Sequence, residues 1–284
     1  MNKKPVKIMV FIGIIVGALL LGLIVYTVVS GLIGKAEPPA NKEFIGEEIA
    51  LSDENVKVLY DYVTFGAEGD RNLKFVTEQE VNMASFSEKE KLYYALMFAQ
   101  VEDFEFTGER NTSKQKIYTI PIKTITNYMK LFFGPSVTYQ PEKQMSFPFT
   151  FSINRMNVGK MTYNQKRDGY DTVFDSQYDP EQSKSLVPPV YGKLISALRK
   201  PDGSIVLQER VVYTALKTEN GTYTVEVYKD PAKTNKLETR TNLSESDLSN
   251  FSINMDQYSS TAIVEYTFAL NGLTCYFNSS RIIM

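Results

Sequence analysis

Val264-Glu-Tyr-Thr-Phe-Ala-Leu-Asn-Gly-Leu-Thr-Cys-Tyr-Phe277 reads as a complete β-hairpin. Val264, Tyr266, Phe268 and Leu270 alternate along its first arm, and Leu273, Cys275 and Phe277 along its second. Side chains in a strand repeat with period two, so each series falls on one face. Asn271-Gly272 between them supplies the positive φ angles of a two-residue turn, the strongest short-range hairpin signal.

The same pattern extends outward. From about residue 145 the apolar period is two, and turn chemistry recurs at Asp168-Gly169, Pro201-Asp202-Gly203 and Asn220-Gly221. Residues 190–199, 205–217, 222–229, 263–270 and 273–280 are therefore expected to form one antiparallel, half-exposed sheet. Residues 230–262 form a long excursion, with a helix start at Ser244.

Upstream the period is 3.6. Ser52 starts a helix with Val56, Leu59, Tyr60 and Val63 on one face. Thr77 with Glu80 has the spacing of a capping box, with Val76 and Val81 as its hydrophobic staple. Ser87 with Glu90 is another, ahead of Leu92, Ala95, Leu96 and Ala99. A last helix runs from Pro121 through Ile122, Ile125, Met129 and Phe132 and stops at Gly134-Pro135. Helices followed by hairpins give an α+β class, with 44–140 helix-rich and 141–284 a curved antiparallel sheet, in one domain or two.

Residues 1–34 are different in kind. Ile8 to Gly34 carries no charge, and Lys3, Lys4 and Lys7 precede it. A span needs about 20 apolar residues, and cytoplasmic flanks are the basic ones. The expectation is one transmembrane helix over Ile8–Val29, amino end in the cytoplasm, with everything beyond it extracytoplasmic. Residues 35–43, with Pro38-Pro39, read as a linker. Val28 and Ser30 also suit a signal-peptidase site, but the apolar run exceeds the roughly 7–15 residues of a signal core. Gly13, Gly17 and Gly22 offer a small-residue face for helix dimerisation, against the plainer fact that glycine is common in such helices.

Composition narrows the function. Lys and Arg number 31 against 33 Asp and Glu, and four of the lysines lie in the first 35 residues. The remainder is net acidic by six charges, which argues against nucleic-acid binding. Histidine is absent and cysteine occurs once. That removes Ser-His and Cys-His nucleophile pairs, histidine metal sites, structural zinc and any intrachain disulfide. Cys275 alternates inward with Leu273 and Phe277 and reads as a small buried hydrophobe. Five Asn-x-Ser/Thr sequons, at Asn111, Asn220, Asn242, Asn250 and Asn278, matter only in a eukaryotic host.

Two weaker patterns remain. Ser113-Lys-Gln-Lys116 and Ser152-Ile-Asn154 match two of the three penicillin-binding motifs. The third is missing, since Lys217-Thr-Glu219 lacks its glycine, and Ser113 lies in a polar turn. An acidic set follows at Asp168, Asp171, Asp175, Asp179 and Glu181. Paired carboxylates serve calcium binding or glycoside hydrolysis, but the spacing is not that of a calcium loop. The chain also has no tryptophan to stack on sugars. A solvated hairpin edge is the expectation, so that replacing Asp171 and Asp175 by Asn shifts stability by less than about 1 kcal/mol.

Leu131-Phe-Phe-Gly134 with Val137-Thr-Tyr139, the hairpin from Gly159 to Tyr170, and the closing stretch Tyr266 to Phe277 together resemble single-span surface proteins of low-GC Gram-positive bacteria. The order of helices then curved sheet is similar to NTF2-like domains of conjugation-channel assembly proteins, by fold analogy alone. These likenesses and the missing motifs imply a non-catalytic, membrane-anchored interaction or assembly domain of a bacterial cell envelope. It would use no cofactor and no metal, and would bind a protein partner or itself. The alternative is a carboxylate-dependent cell-wall or glycan hydrolase.

Overall fold

The computed structural model describes residues 46–64, 73–145, 151–153, 156–158, 161–175, 187–272 and 274–283. The expected span, Gly13, Gly17, Gly22 and the 35–43 linker lie outside them, as do Leu273, Asp179 and Glu181. No helix among the described residues is long and apolar enough to cross a membrane.

Gly46–Met284 forms one unit of α+β architecture with mostly antiparallel pairing. Its strands are β1 (Glu47–Glu48), β2 (Glu80–Asn82), β3 (Glu105–Arg110), β4 (Lys116–Pro121) and β5 (Gln144–Met145). Then come β6 (Phe151–Ile153), β7 (Met156–Val158), β8 (Met161–Asn164), β9 (Gly169–Asp175) and β10 (Val190–Arg199). The last are β11 (Ile205–Glu219), β12 (Thr222–Tyr228), β13 (Lys236–Leu243), β14 (Ile263–Asn271) and β15 (Thr274–Ile283). Helices are α1 (Glu54–Thr64), α2 (Lys74–Thr77), α3 (Glu88–Met97), α4 (Ile122–Phe133) and α5 (Glu245–Ser249).

The five ranges expected to share a sheet do so. Its main path runs β1-β10-β11-β14-β15-β2, all antiparallel. β11 is its axis. One side pairs with β10, and the other with β14 over Ile205–Arg210 and with β12 over Tyr213–Glu219. A second sheet runs β3-β4-β9-β7-β6, with β8 on β9 and β5 beyond it.

The core lies on the face carrying Ile205, Leu207, Val211 and Tyr213 of β11, with Val264, Tyr266 and Phe268 of β14. Helices α1, α3 and α4 bury Val56, Leu59, Val63, Leu92, Tyr94, Ile125, Met129 and Phe132 in the same cluster. Ser87 accepts from the Glu90 N–H while Glu90 accepts from the Ser87 N–H, so the α3 capping box forms. Asp53, rather than Ser52, accepts the first N–H groups of α1. Gly134, at φ 84°, ends α4, where a Cβ would also meet the Tyr276 ring at 2.5 Å. Asn254, Ile253 and Met255 belong to the excursion that covers Val212 and Val227 on the other face of the first sheet.

Other sequence expectations are corrected as well. Thr77 and Glu80 make no capping box: Thr77 ends α2, and Val81 is the inward residue of β2, paired with Ser280. Tertiary pairing with the β15 edge overrides the local signal. Leu270 is 49 % exposed, because β14 outruns the core after a register shift at Thr267/Phe268. Cys275, opposite Leu270, is accordingly half-buried, packing on the core margin rather than inside it. The helix-rich part also holds the β3–β4 pair, and the excursion holds β13 as well as the expected α5.

Candidate functional site

Without histidine, the ionisable networks of this chain draw on 33 Asp and Glu, 31 Lys and Arg and 18 tyrosines. The fold joins carboxylates to tyrosines repeatedly. Tyr128 donates to Asp103 at 2.7 Å, Tyr163 to Asp168 at 2.9 Å and Tyr228 to Glu226 at 2.5 Å, while Tyr258 donates to Glu238. Burial and the Asp103 carboxylate push the Tyr128 hydroxyl up to about 12, so it is a donor throughout the ordinary pH range.

The acidic turn is built on β8 and β9. Asp168 sits at φ 44° and Gly169 opens β9 against β4. A Cβ at Gly169 would lie 2.6 Å from the Ile120 carbonyl oxygen, so only glycine fits that approach. Two residues on, Asp171 points toward Thr119, its partner on β4. Its carboxylate accepts from Thr119 Oγ1, from Asn164 Nδ2 at 2.8 Å and from Arg167 Nη2 at 2.7 Å and Nε at 3.2 Å. Arg167 also reaches Glu109 at 3.2 Å, tying the β3 edge to the turn. Asp168 is exposed and holds only Tyr163 among these donors, and nothing is described of the Asp175 side chain.

The solvated-edge expectation is therefore wrong for Asp171, whose side chain is 18 % exposed and fully engaged. Burial raises its carboxyl, but the bonds from Arg167, Thr119 and Asn164 outweigh that and leave it below the ordinary carboxylate range. A depressed folded-state value means stability present above about pH 4, the unfolded value, and lost as pH falls through the folded one. Asp171→Asn is expected to cost about 2 kcal/mol at pH 7, since bonds to a charged group contribute about 1.5–3 kcal/mol. The cost should shrink toward pH 3. Urea titrations at the two pH values check both, and a loss under about 0.5 kcal/mol at pH 7 would restore the solvated edge.

Two carboxylates escaped the sequence reading. Glu209 is 0 % exposed on the core face of β11, accepting from Tyr60 of α1 and, at 2.7 Å, from Tyr266 of β14. Its signal was present: Leu207, Glu209, Val211 and Tyr213 alternate, so a charge sits in an inward series. Glu226 is 4 % exposed on β12. Lys217 at 2.8 Å, Lys236 and Tyr228 hold it, in that order of effect for the first two, and draw its carboxyl down to about 2.

No family model, curated protein or solved structure matches this chain. The geometry alone then carries the functional reading. Ser113 is confirmed in an exposed turn, between β3 and β4, with Lys114 at φ 63°. Among the described residues no three His, Cys, Asp or Glu side chains converge to hold a metal ion. Several of the acids tie elements together: Glu209 joins α1 to β14, Glu226 joins β11, β12 and β13, and Asp171 joins β4 to the β8–β9 turn.

The sheet margins are also guarded. β1 and β2 are two and three residues long. β3 is irregular between Phe106 and Arg110. β13 has two register shifts, one beside Asn242 at φ 57°, and carries Lys236, Glu238 and Arg240. Short, bulged and charged edges resist strand addition.

Proposed function

We propose that the chain is a non-catalytic, membrane-anchored interaction or assembly domain on the outer side of a bacterial cell membrane. The observation that carries this is the state of Asp171: Thr119, Asn164 and Arg167 occupy both of its oxygens, and it closes a turn. A hydrolase that used this carboxylate would need it free to meet a substrate. Guarded edges further favour a partner that docks on a face. The anchor rests on Ile8–Val29 with Lys3, Lys4 and Lys7 ahead of it, and the resemblance to single-span Gram-positive surface proteins agrees with that placement.

Location is tested in membranes. The chain is expected to stay in the pellet through carbonate extraction, and protease added to intact protoplasts should remove nearly all of it. Recovery of a soluble form beginning near Gly31 would show a cleaved leader instead. Chemical cross-linking on the same protoplasts should trap the chain with a partner or a second copy. Cross-linked material composed of free monomer alone would defeat the interaction reading.

A further inference from the structure

Two local rules are broken at one place on the outer face of the first sheet. Lys193 of β10 lies directly opposite Arg210 of β11, a like-charge cross-strand pair. Such pairs destabilise a sheet. The Nε of Arg210 is also buried with no hydrogen-bond partner among the described residues. Buried donors are nearly always satisfied, so Arg210 is held here at a cost to the sheet. Lys193 is served by Asp256, at 2.6 Å, on the turn that packs over this face. Asp256 also attracts Arg210 at longer range but makes no hydrogen bond to it.

The register extends this pair into a row. Arg210 faces Ile263 on its other side, and Ile263 faces Ile283. Lys193, Arg210, Ile263 and Ile283 thus cross four strands, two cations beside two isoleucines, with Ile283 38 % exposed and Ile263 half-buried. Sites where local consistency fails are expected where function demands it.

We propose that this row is a docking surface for an acidic, apolar protein segment, whose carboxylate takes Arg210 and whose apolar side chains cover Ile263 and Ile283. This rests on the interaction reading above and names its surface. Charge complementarity selects the occupant. Two cations against Asp256 leave one positive charge, which a single carboxylate neutralises and a phosphate dianion overshoots. The guanidinium of half-buried Arg210 donates to a carboxylate, and arginine beside apolar anchors is the composition of interface hot spots.

The test uses the full chain in neutral-lipid nanodiscs, with empty discs as blank, and a fluorescent peptide of alternating Glu and Leu. The peptide should bind the wild type, and Arg210→Met should weaken binding at least tenfold. A Gln-Leu peptide should bind no better than to Arg210→Met. The melting temperature of Arg210→Met should equal or exceed that of the wild type, because the substitution removes a like-charge pair and an orphaned donor. A purely structural Arg210 would instead lose several degrees, and that result overturns the proposal. Equal binding to both proteins, or to both peptides, also overturns it. If no peptide binds while cross-linking in membranes still traps a partner, this surface falls and the interaction domain stands. If cross-linking also fails, both fall.

Discussion

Phe132→Ala should cost about 3–5 kcal/mol of folding stability, the range for truncating a buried Phe. Phe132 is 0 % exposed on α4, and its ring lies nearly parallel to Tyr94 of α3 at 4.3 Å and to Phe277 of β15 at 5.6 Å. Phe133 meets it edge-on at 4.7 Å, and the Phe86 and Tyr62 rings lie within 6.5 Å. One side chain therefore joins two helices to the central sheet. Its removal forfeits transfer energy, opens a cavity that the five surrounding rings cannot collapse into, and loses aromatic contacts of about 0.5–1.5 kcal/mol each. Leu131, its neighbour at 42 % exposure, is the control, and Leu131→Ala should stay within about 0.5 kcal/mol. Denaturant titration of the detergent-solubilised chain should move the midpoint for Phe132→Ala with little change in slope. A loss below about 1.5 kcal/mol would mean that the helices are held to the sheet by other contacts.

How much of this was legible depended on which neighbour supplied the order. The β11–β12 and β14–β15 hairpins could be read because apolar alternation and Asn-Gly turns are local properties of the chain. The same holds for α4, whose stop at Gly134 needs only a positive φ. β13 was missed because it is an edge strand whose alternating residues are Lys236, Glu238 and Arg240, so its signal carries no hydrophobic period. Val81 reads locally as part of a helical staple because its partner in the sheet, Ser280, comes from the far end of the sequence. Asp171 failed for the same reason. Two of its donors, Asn164 and Arg167, are close in sequence, but Thr119 arrives from β4, and only the sheet pairing makes the carboxylate a hub. Long-range pairing, not local propensity, set each of these positions.

Glu209→Leu should be the most costly single change outside the aromatic core, about 3–5 kcal/mol. Glu209 stands between Leu207 and Val211, all three 0 % exposed, and its carboxylate is the acceptor for the Tyr60 and Tyr266 hydroxyls. Leucine there keeps the volume and suits its neighbours, so packing predicts little loss. Hydrogen bonding predicts the opposite, because the buried Tyr266 hydroxyl and the half-buried Tyr60 hydroxyl both lose a charged acceptor, and a hydrogen bond to a charged group contributes about 1.5–3 kcal/mol. The two views separate in a combined variant. With Tyr60→Phe and Tyr266→Phe added, neither hydroxyl remains to be satisfied, and removing donors and acceptor together is less costly than removing the acceptor alone. The triple variant should therefore be more stable than Glu209→Leu alone, by at least about 1 kcal/mol, a coupling of the size expected for residues in one network. Urea titration of the wild type, Glu209→Leu, the Tyr60→Phe/Tyr266→Phe pair and the triple variant measures it. If Glu209→Leu is neutral, the carboxylate does not organise the core; if the triple variant is no better than the single, the hydroxyls are not what the carboxylate satisfies, and its place between α1 and β14 has another cause.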